Sequence, residues 1–104
     1  MNIVETSSEE LARPHGTLAL RVRYLASPRP YVEPRAPLTE TLAILKPKVL
    51  HFFGLAEGEV EGGRKEYAFS AHGVIQSNPA ETLGHLAQGK HELELKLLEQ
   101  FIQG

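Results

Sequence analysis

The chain has 104 residues, of which 41% are hydrophobic and 23% are charged, and it contains no cysteine. This length suffices for one domain with one modest core. The absence of cysteine excludes disulfides, thiolate metal sites and a cysteine nucleophile. The formal net charge of −2 gives none of the basic surface that nucleic-acid binding needs.

Residues 1–16 are predicted to form a flexible N-terminal tail. The stretch 6–11 has a weak helix-capping signal, but Pro14-His15-Gly16 interrupts any helix that begins there. No basic segment followed by an apolar run, as in a secretion signal, stands at the start of the sequence. No apolar run approaches the roughly 20 residues of a membrane span. We therefore expect a cytoplasmic protein that does not enter a membrane.

A first strand is predicted over residues 17–26, because apolar and other side chains alternate there with period two. The apolar face consists of Leu18, Leu20, Val22 and Tyr24. After a turn at residues 27–30, a short second strand is predicted over residues 31–33. Pro34 is predicted to end it, since a proline lacks the amide that a central ladder needs.

One long helix is predicted next, with Thr39 and Thr41 as the two possible N-caps and Gly54 as the C-terminal stop. A single apolar stripe supports it, made of Leu42, Leu45, Val49 and Phe52 or Phe53. Pro47 lies inside this pattern and removes one helical hydrogen bond. Because the stripe continues in phase on both sides of the proline, we favour one kinked helix over two separate ones.

The remaining elements are short. Residues 56–65 are polar and rich in glycine and are predicted to form a loop, followed by a strand over 66–70, a turn, and a very short strand over 74–76. One helical turn is predicted after Thr82, and a last strand from His91 onward carries Leu93, Leu95 and Leu97 on one face. The order of elements predicts an α+β fold in which a mixed sheet of four to five strands packs on one helix.

Beyond this strand, residues 99–104 are predicted to be an extended tail that ends on Gly104. A glycine has no Cβ, so its carboxylate can enter a narrow channel as an extended thread. An enzyme that adenylates a C-terminus needs such an end. The alternative is that Gly104 is only the frayed end of the domain. For Phe101 and Ile102, docking in a partner's groove and simple extension of the last strand are both open.

This order of elements resembles the β-grasp fold of ubiquitin and its relatives over residues 17–104. The resemblance assigns 17–98 to a ubiquitin-like domain and 99–104 to a conjugation tail. It implies that the sheet face with Ala68, Ser70, Glu94 and Lys96 binds partners, although an ordinary solvated face is equally compatible with these residues. The matching features are the hairpin over 18–32, the capping Thr41, the turn at Gly73, the short strand at Ile75, Thr82-Leu83, and the Leu93-x-Leu95-x-Leu97 strand.

Two stretches, Thr82-Leu83-Gly84 and Glu99 to Gly104, are similar to bacterial ubiquitin-like proteins. These are encoded beside activating-enzyme, conjugating-enzyme and deubiquitinase-like proteins and resemble components of antiphage defence. The resemblance implies a modifier, and not an enzyme, that is activated at Gly104 and transferred to a target protein. Partner enzymes would contact the tail residues Gln100, Phe101, Ile102 and Gln103. Two departures from ubiquitin are Gln103, where the family has a glycine, and Pro47.

The sequence predicts no catalytic residue, metal site or cofactor. The five histidines show no ligand spacing, aspartate is absent, and neither a nucleophile elbow nor a phosphate loop occurs. Two other functions fit the same fold. One is a sulfur carrier with a C-terminal thiocarboxylate, against which Gln103 counts because such carriers usually end in Gly-Gly. The other is a β-grasp interaction module that is never conjugated.

Overall fold

The computed structural model describes residues 16–104, so the predicted N-terminal tail, except Gly16, lies outside the described residues. Eight elements follow one another along the chain. They are β1 (Thr17–Tyr24), β2 (Tyr31–Pro37), α1 (Leu42–Phe53), β3 (Gly58–Val60), β4 (Gly63–Ala71), β5 (Val74–Gln76), α2 (Leu83–Ala87) and β6 (Glu92–Gln103).

The strands form one mixed sheet in the order β2-β1-β6-β4-β3, and β5 also pairs with β4. β1 and β6 are parallel, whereas the other pairs are antiparallel. The predicted α+β architecture, a mixed sheet with one main helix, is confirmed. Residues 16–104 contain six strands, one more than the upper predicted number, because β3 was not foreseen.

The segment predicted as a loop over 56–65 is a β-hairpin. Val60 pairs with Gly63, so Glu61 and Gly62 form a two-residue turn between β3 and β4. Gly62 has a φ of 87°, a region that glycine enters without steric cost. The prediction was wrong because polar and glycine residues dominate this short hairpin and hide the alternation of its strands.

β2 continues past Pro34, contrary to the prediction that this proline ends it. Leu18 pairs with Ala36 and Leu20 pairs with Glu33, so two residues of β2, Pro34 and Arg35, lie opposite one residue of β1. This is the two-against-one arrangement of a β-bulge. A proline is tolerated here because β2 is an edge strand and the bulge already interrupts the ladder.

The helix α1 begins after Thr41, whose Oγ1 accepts a hydrogen bond from the amide of Ile44 at 3.3 Å. It ends at Gly54, which has a φ of 72°. Pro47 lies within this one continuous helix, so the predicted single helix is confirmed. The buried stripe of α1 packs into the core with leucines and aromatic residues of the sheet. The most deeply buried side chains are Leu20, Val22, Leu45, Val49, Leu83, Leu95 and Leu97.

Candidate functional site

The candidate site is the C-terminal half of β6. Along the first half, Leu93, Leu95 and Leu97 face the core and alternate with exposed residues. β1 ends opposite Leu97, so β6 pairs from Leu98 onward with β4 alone. Among residues 16–104, no strand pairs with the other edge of this segment.

The tail residues form part of the sheet. Gln100 pairs with Glu66, Phe101 with Lys65, Ile102 with Arg64, and Gln103 with Gly63. The tail predicted over 99–104 is extended but does not stand free of the domain, because residues 99–103 pair with β4. Of the two alternatives left open for Phe101 and Ile102, the structure shows extension of the last strand.

The apolar pair of the tail is exposed nonetheless. Phe101 retains 54% of its surface and Ile102 retains 45%. As neighbours on a strand they point to opposite faces of the sheet. Phe101 lies on the helix side, beyond the end of the core, and Ile102 lies on the outer side beside Arg64. A partner that buried both would have to grip the strand from its two faces.

Gly104 follows β6 directly and is exposed. Its backbone amide donates a hydrogen bond to the carbonyl oxygen of Gly62 at 3.0 Å. This bond extends the pairing of β6 with β4 by one residue, into the turn of the β3–β4 hairpin. Gly104 is thus at the surface, held by its backbone and not buried in the core.

The outer face of the sheet is largely polar where the resemblance implies partner binding. Arg23 on β1 forms an ion pair with Glu94 on β6 at 2.9 Å, and Lys96 is exposed between the strands β1 and β4. Ser70 is buried on the same face, next to half-buried Ala68. These residues are brought together as predicted, but they form no continuous apolar surface.

Sequence reasoning missed an apolar feature beside this face. Leu25, in the turn after β1, is fully exposed at 101% of its reference surface. It lines a surface cavity of about 460 Å³ together with Arg23, Lys96 and Leu98. The available signal was that Leu25 breaks the alternation of β1, which places a large apolar residue outside the buried face. The cavity combines apolar walls with two cationic side chains.

The described residues hold no group of three or more possible metal ligands. Of the histidines predicted to be scattered, His72 lies 3.0 Å from the carbonyl oxygen of Leu86 through Nε2, and Nδ1 of His85 contacts Oε2 of Glu81, four residues earlier. Both are local structural contacts. Neither helix of the described chain is long and apolar enough to cross a membrane.

Comparison with known proteins establishes the fold. No protein-family model and no curated protein matches the chain. The solved structures that are similar to it include the following three. A ubiquitin from Caldiarchaeum subterraneum has a TM-score of 0.60 at 12% identity, with 86% of this chain and 100% of that chain covered.

The ubiquitin-like domain of yeast Ddi1 gives a TM-score of 0.58 at 13% identity, covering 86% of this chain and 95% of that chain. A structure described as molecular mimicry of SUMO that promotes DNA repair gives a TM-score of 0.59 at 13% identity, covering 84% of this chain and 96% of that chain. At such identities the likeness concerns the fold alone. The fold of this chain is the ubiquitin-like β-grasp, as the resemblance in the sequence implied.

Proposed function

We propose that this chain is a ubiquitin-like protein modifier that is activated by adenylation at Gly104. The observation that carries the proposal is the placement of this glycine on a ubiquitin-like fold. The last strand leaves the core after Leu97 and continues through half-buried and exposed residues to an exposed glycine. Because Gly104 has no side chain, its carboxylate can approach a nucleotide in a narrow channel.

The chemistry requires partner enzymes. On an activating-like enzyme, a carboxylate oxygen of Gly104 attacks the α-phosphorus of ATP, which forms an acyl-adenylate and releases pyrophosphate. An enzyme thiolate then attacks the glycyl carbonyl carbon, so that AMP leaves and a thioester forms. A conjugating-like enzyme transfers the acyl group to an amine of the target protein, with release of the thiol. A deubiquitinase-like protease would hydrolyse the resulting amide.

In this scheme the chain is a substrate and does no catalysis itself, which agrees with a fold shared with ubiquitin-like domains. The tail residues Gln100, Phe101, Ile102 and Gln103 supply the contacts with the partner enzymes. Since Phe101 and Ile102 are exposed on opposite faces, the enzyme groove must be apolar on two walls. The resemblance to bacterial ubiquitin-like proteins supports a role in antiphage defence, in the cytoplasm.

The direct test removes Gly104. The full chain and the chain without Gly104 are incubated with the cognate activating-like enzyme and ATP, and adducts are detected by mass spectrometry. We expect an ATP-dependent adduct for the full chain and none for the truncated chain, with identical circular dichroism. An undiminished adduct from the truncated chain would reject the proposal.

The role of the tail side chains is tested separately. Phe101→Ala and Ile102→Ala should raise the KM for activation, because each removes apolar area from the enzyme contact. Val74→Ala is the matched control, since Val74 on β5 is also an exposed apolar strand residue but lies outside the tail and the β3–β4 hairpin. Equal KM values for all three variants would contradict the assigned contacts.

A second function is favoured by one observation, the pairing of residues 99–103 with β4. A tail that remains in the sheet suits an interaction module that is never conjugated. In that case deletion of Gly104 changes no measured property except, weakly, the affinity for a partner protein. Mass spectrometry distinguishes the two functions, since only the modifier forms a covalent adduct with another protein.

A further inference from the structure

We propose that the β3–β4 hairpin is a latch for the C-terminal segment, so that Gly104 reaches an activating enzyme only after residues 99–103 separate from β4. The gating part of this inference rests on the proposed function, whereas the latch itself does not. The latch consists of the β4–β6 ladder from Tyr67 to Gly63 and the final hydrogen bond from Gly104 to Gly62.

Gly63 is the residue that permits this pairing. A Cβ on Gly63 would overlap the carbonyl oxygen of Ile102 and would lie 3.0 Å from the amide nitrogen of Gly104. Both neighbours are backbone atoms of the tail, which cannot rotate away as a side chain does. Gly63 does not have a positive φ, so the requirement is close approach of two backbones and not an unusual conformation.

Gly62 completes the contact from the turn. Its carbonyl oxygen accepts the hydrogen bond of Gly104, and Cζ of Phe101 lies 3.7 Å from the position that a Cβ would occupy. The two consecutive glycines therefore present bare backbone to the last residues of the tail. A side chain at Gly63 would hold the tail away from β4, whereas the requirement for glycine at Gly62 is its φ of 87°.

The latch is able to open without unfolding the domain. The leucines of β6 that fill the core end at Leu97, and beyond this point the strand has one paired edge and exposed apolar side chains. Segments with few buried contacts open locally at a small fraction of the global free energy. β4 remains paired with β3 over Gly63 to Lys65, so the hairpin stays in place when the tail leaves.

Opening is required by the geometry of activation. A narrow channel accepts one extended chain, and residues 99–103 enter it only when β4 no longer lies beside them. Separation of these residues therefore precedes adenylation, and the stability of the latch lowers the fraction of chains that are competent at any moment.

The first experiment measures the latch without any enzyme. Amide hydrogen exchange of Gly104 and Ile102 is followed by NMR in the wild type, in Gly63→Ala and in the matched control Gly16→Ala. Gly16 has open space at the Cβ position, so the same substitution there meets nothing. We expect Gly63→Ala to accelerate exchange of the Gly104 amide on the order of tenfold, because overpacking against backbone is costly.

The amide of Leu95, in the core part of β6, reports global stability in the same spectra and should be unaffected. Unchanged protection of Gly104 in Gly63→Ala would overturn the latch. The latch would also be overturned if exchange of the Leu95 amide accelerated equally, since the substitution would then lower the stability of the whole domain.

The second experiment locks the latch covalently. Hydrogen-bonded and non-hydrogen-bonded pairs alternate along an antiparallel ladder, and Gly62 and Gly104 are a hydrogen-bonded pair. Lys65 and Phe101 pair three positions further along the same ladder. They therefore form a non-hydrogen-bonded pair, in which the Cα atoms approach to about 4.5 Å, within the range of a disulfide. The double variant Lys65→Cys with Phe101→Cys introduces the only cysteines of the chain.

The activation rate is measured as ATP–pyrophosphate exchange with the cognate activating-like enzyme. We expect the oxidised double variant to be inactive and to regain, on reduction, the activity of Phe101→Ala, which lacks the same enzyme contact. We expect Gly63→Ala to be faster than the wild type. Equal rates of the oxidised and reduced forms would overturn the gating. If wild type and all variants are inactive while the exchange of Gly104 still responds to Gly63→Ala, the proposed function fails and the latch stands.

Discussion

Thr41 and Thr82 lie opposite each other as an isolated antiparallel bridge, and each is the N-cap of a helix. The amide that follows each threonine donates to the carbonyl of the residue that precedes the other one, at 3.0 Å in both directions. The side-chain oxygen of each accepts a hydrogen bond from within its own helix at 3.3 Å. Two helix starts that are distant in the sequence therefore satisfy each other's first amide.

The first prediction concerns the cap of α1. Thr41→Ala should lower the free energy of unfolding by about 1 kcal/mol, because the amide of Ile44 loses its side-chain acceptor and keeps only the carbonyl oxygen of Thr41. In a chain of this size such a loss lowers Tm by roughly 4–8 °C. Thermal and urea unfolding measure it. Thr39→Ala is the control: the sequence left Thr39 as an equal candidate, but the structure places the cap two residues later, so we expect a change within about 0.5 kcal/mol.

The bridge makes the two caps interdependent. Because the bridge ties both helix starts together, the losses from Thr41→Ala and Thr82→Ala should not add, and the double variant should differ from their sum by about 0.5 kcal/mol or more. Strict additivity would mean that the bridge produces no coupling free energy between the two caps.

The sequence predicted the elements that have a strong period and missed those fixed by tertiary contacts. The stripe of α1 and the leucines of β6 identified the core, because burial on one face imposes a visible repeat. β3 has three residues and depends on the turn at Gly62, so it has no repeat of its own. The passage of β2 through Pro34 depends on a bulge against β1, which no local pattern announces.

The same distinction applies to the candidate site. The sequence identified Gly104 and the apolar pair of the tail, since residue type alone marks them. It did not identify Gly63 as a residue that contacts the tail, because that contact joins two strands distant in the sequence. Only the register between β4 and β6 brings the bare backbone of the hairpin against the last residues.

The second prediction concerns Pro47. It lies inside α1 and lacks the amide that would donate to the carbonyl of Ala43. In a regular helix a proline ring also crowds the carbonyl four residues earlier. Pro47 is exposed, so an alanine there fits without new contacts. We expect Pro47→Ala to raise the free energy of unfolding by about 1 kcal/mol, part of the roughly 3 kcal/mol difference in helix propensity.

Pro28→Ala serves as the comparison, because Pro28 is an exposed proline in the turn between β1 and β2. There the same substitution restores no helical hydrogen bond. It also raises the conformational entropy of the unfolded chain, which the proline had restricted. We expect Pro28→Ala to be neutral or destabilising by about 0.5 kcal/mol. A common direction of change in both variants would show that Pro47 does not strain the helix.

The third prediction concerns alkaline pH. Burial, and after it the charge of Glu99, raises the pKa of Tyr67 from 10.0 to about 12. The neutral phenol is thus favoured in the folded state. Its contribution to the free energy of unfolding is therefore complete below pH 10 and is lost as the pH rises through about 12. Tyr67→Phe should flatten the fall of stability over this window, which denaturant unfolding at several pH values measures.

Spectroscopic titration gives an independent reading of the same groups. Burial, and after it the hydrogen bond to Glu33, raises the pKa of Tyr31 also to about 12. Tyr67→Phe and Tyr31→Phe should each remove one phenol from the late step of the tyrosinate absorbance curve. A late step of unchanged size in Tyr67→Phe would show that this phenol ionises earlier.

The last prediction concerns the one gap in the outer edge of β4. Between the stretches paired with β3 and with β5, the amide of Tyr67 donates to Oε2 of Glu57 at 2.7 Å, and Lys46 on α1 lies 2.7 Å from the same oxygen. Burial alone would raise the pKa of Glu57, but these two contacts outweigh it and lower the pKa below its usual 4.5. A carboxylate therefore closes this edge in place of a strand.

Because the pKa of Glu57 is lowered in the folded state, the carboxylate contributes to the free energy of unfolding above about pH 4.5. This contribution is lost as the pH falls through the lower pKa of the folded state. Glu57→Gln should cost about 1 kcal/mol at pH 7, the size expected for charge-assisted hydrogen bonds that are partly exposed. This cost should shrink as the pH falls, so the stability curves of variant and wild type converge in acid. Glu59→Gln, an exposed glutamate on β3, provides the baseline. If the free energies of unfolding of Glu57→Gln and the wild type still differ by the same amount at acidic pH, the charge of this carboxylate does not stabilise the edge of β4.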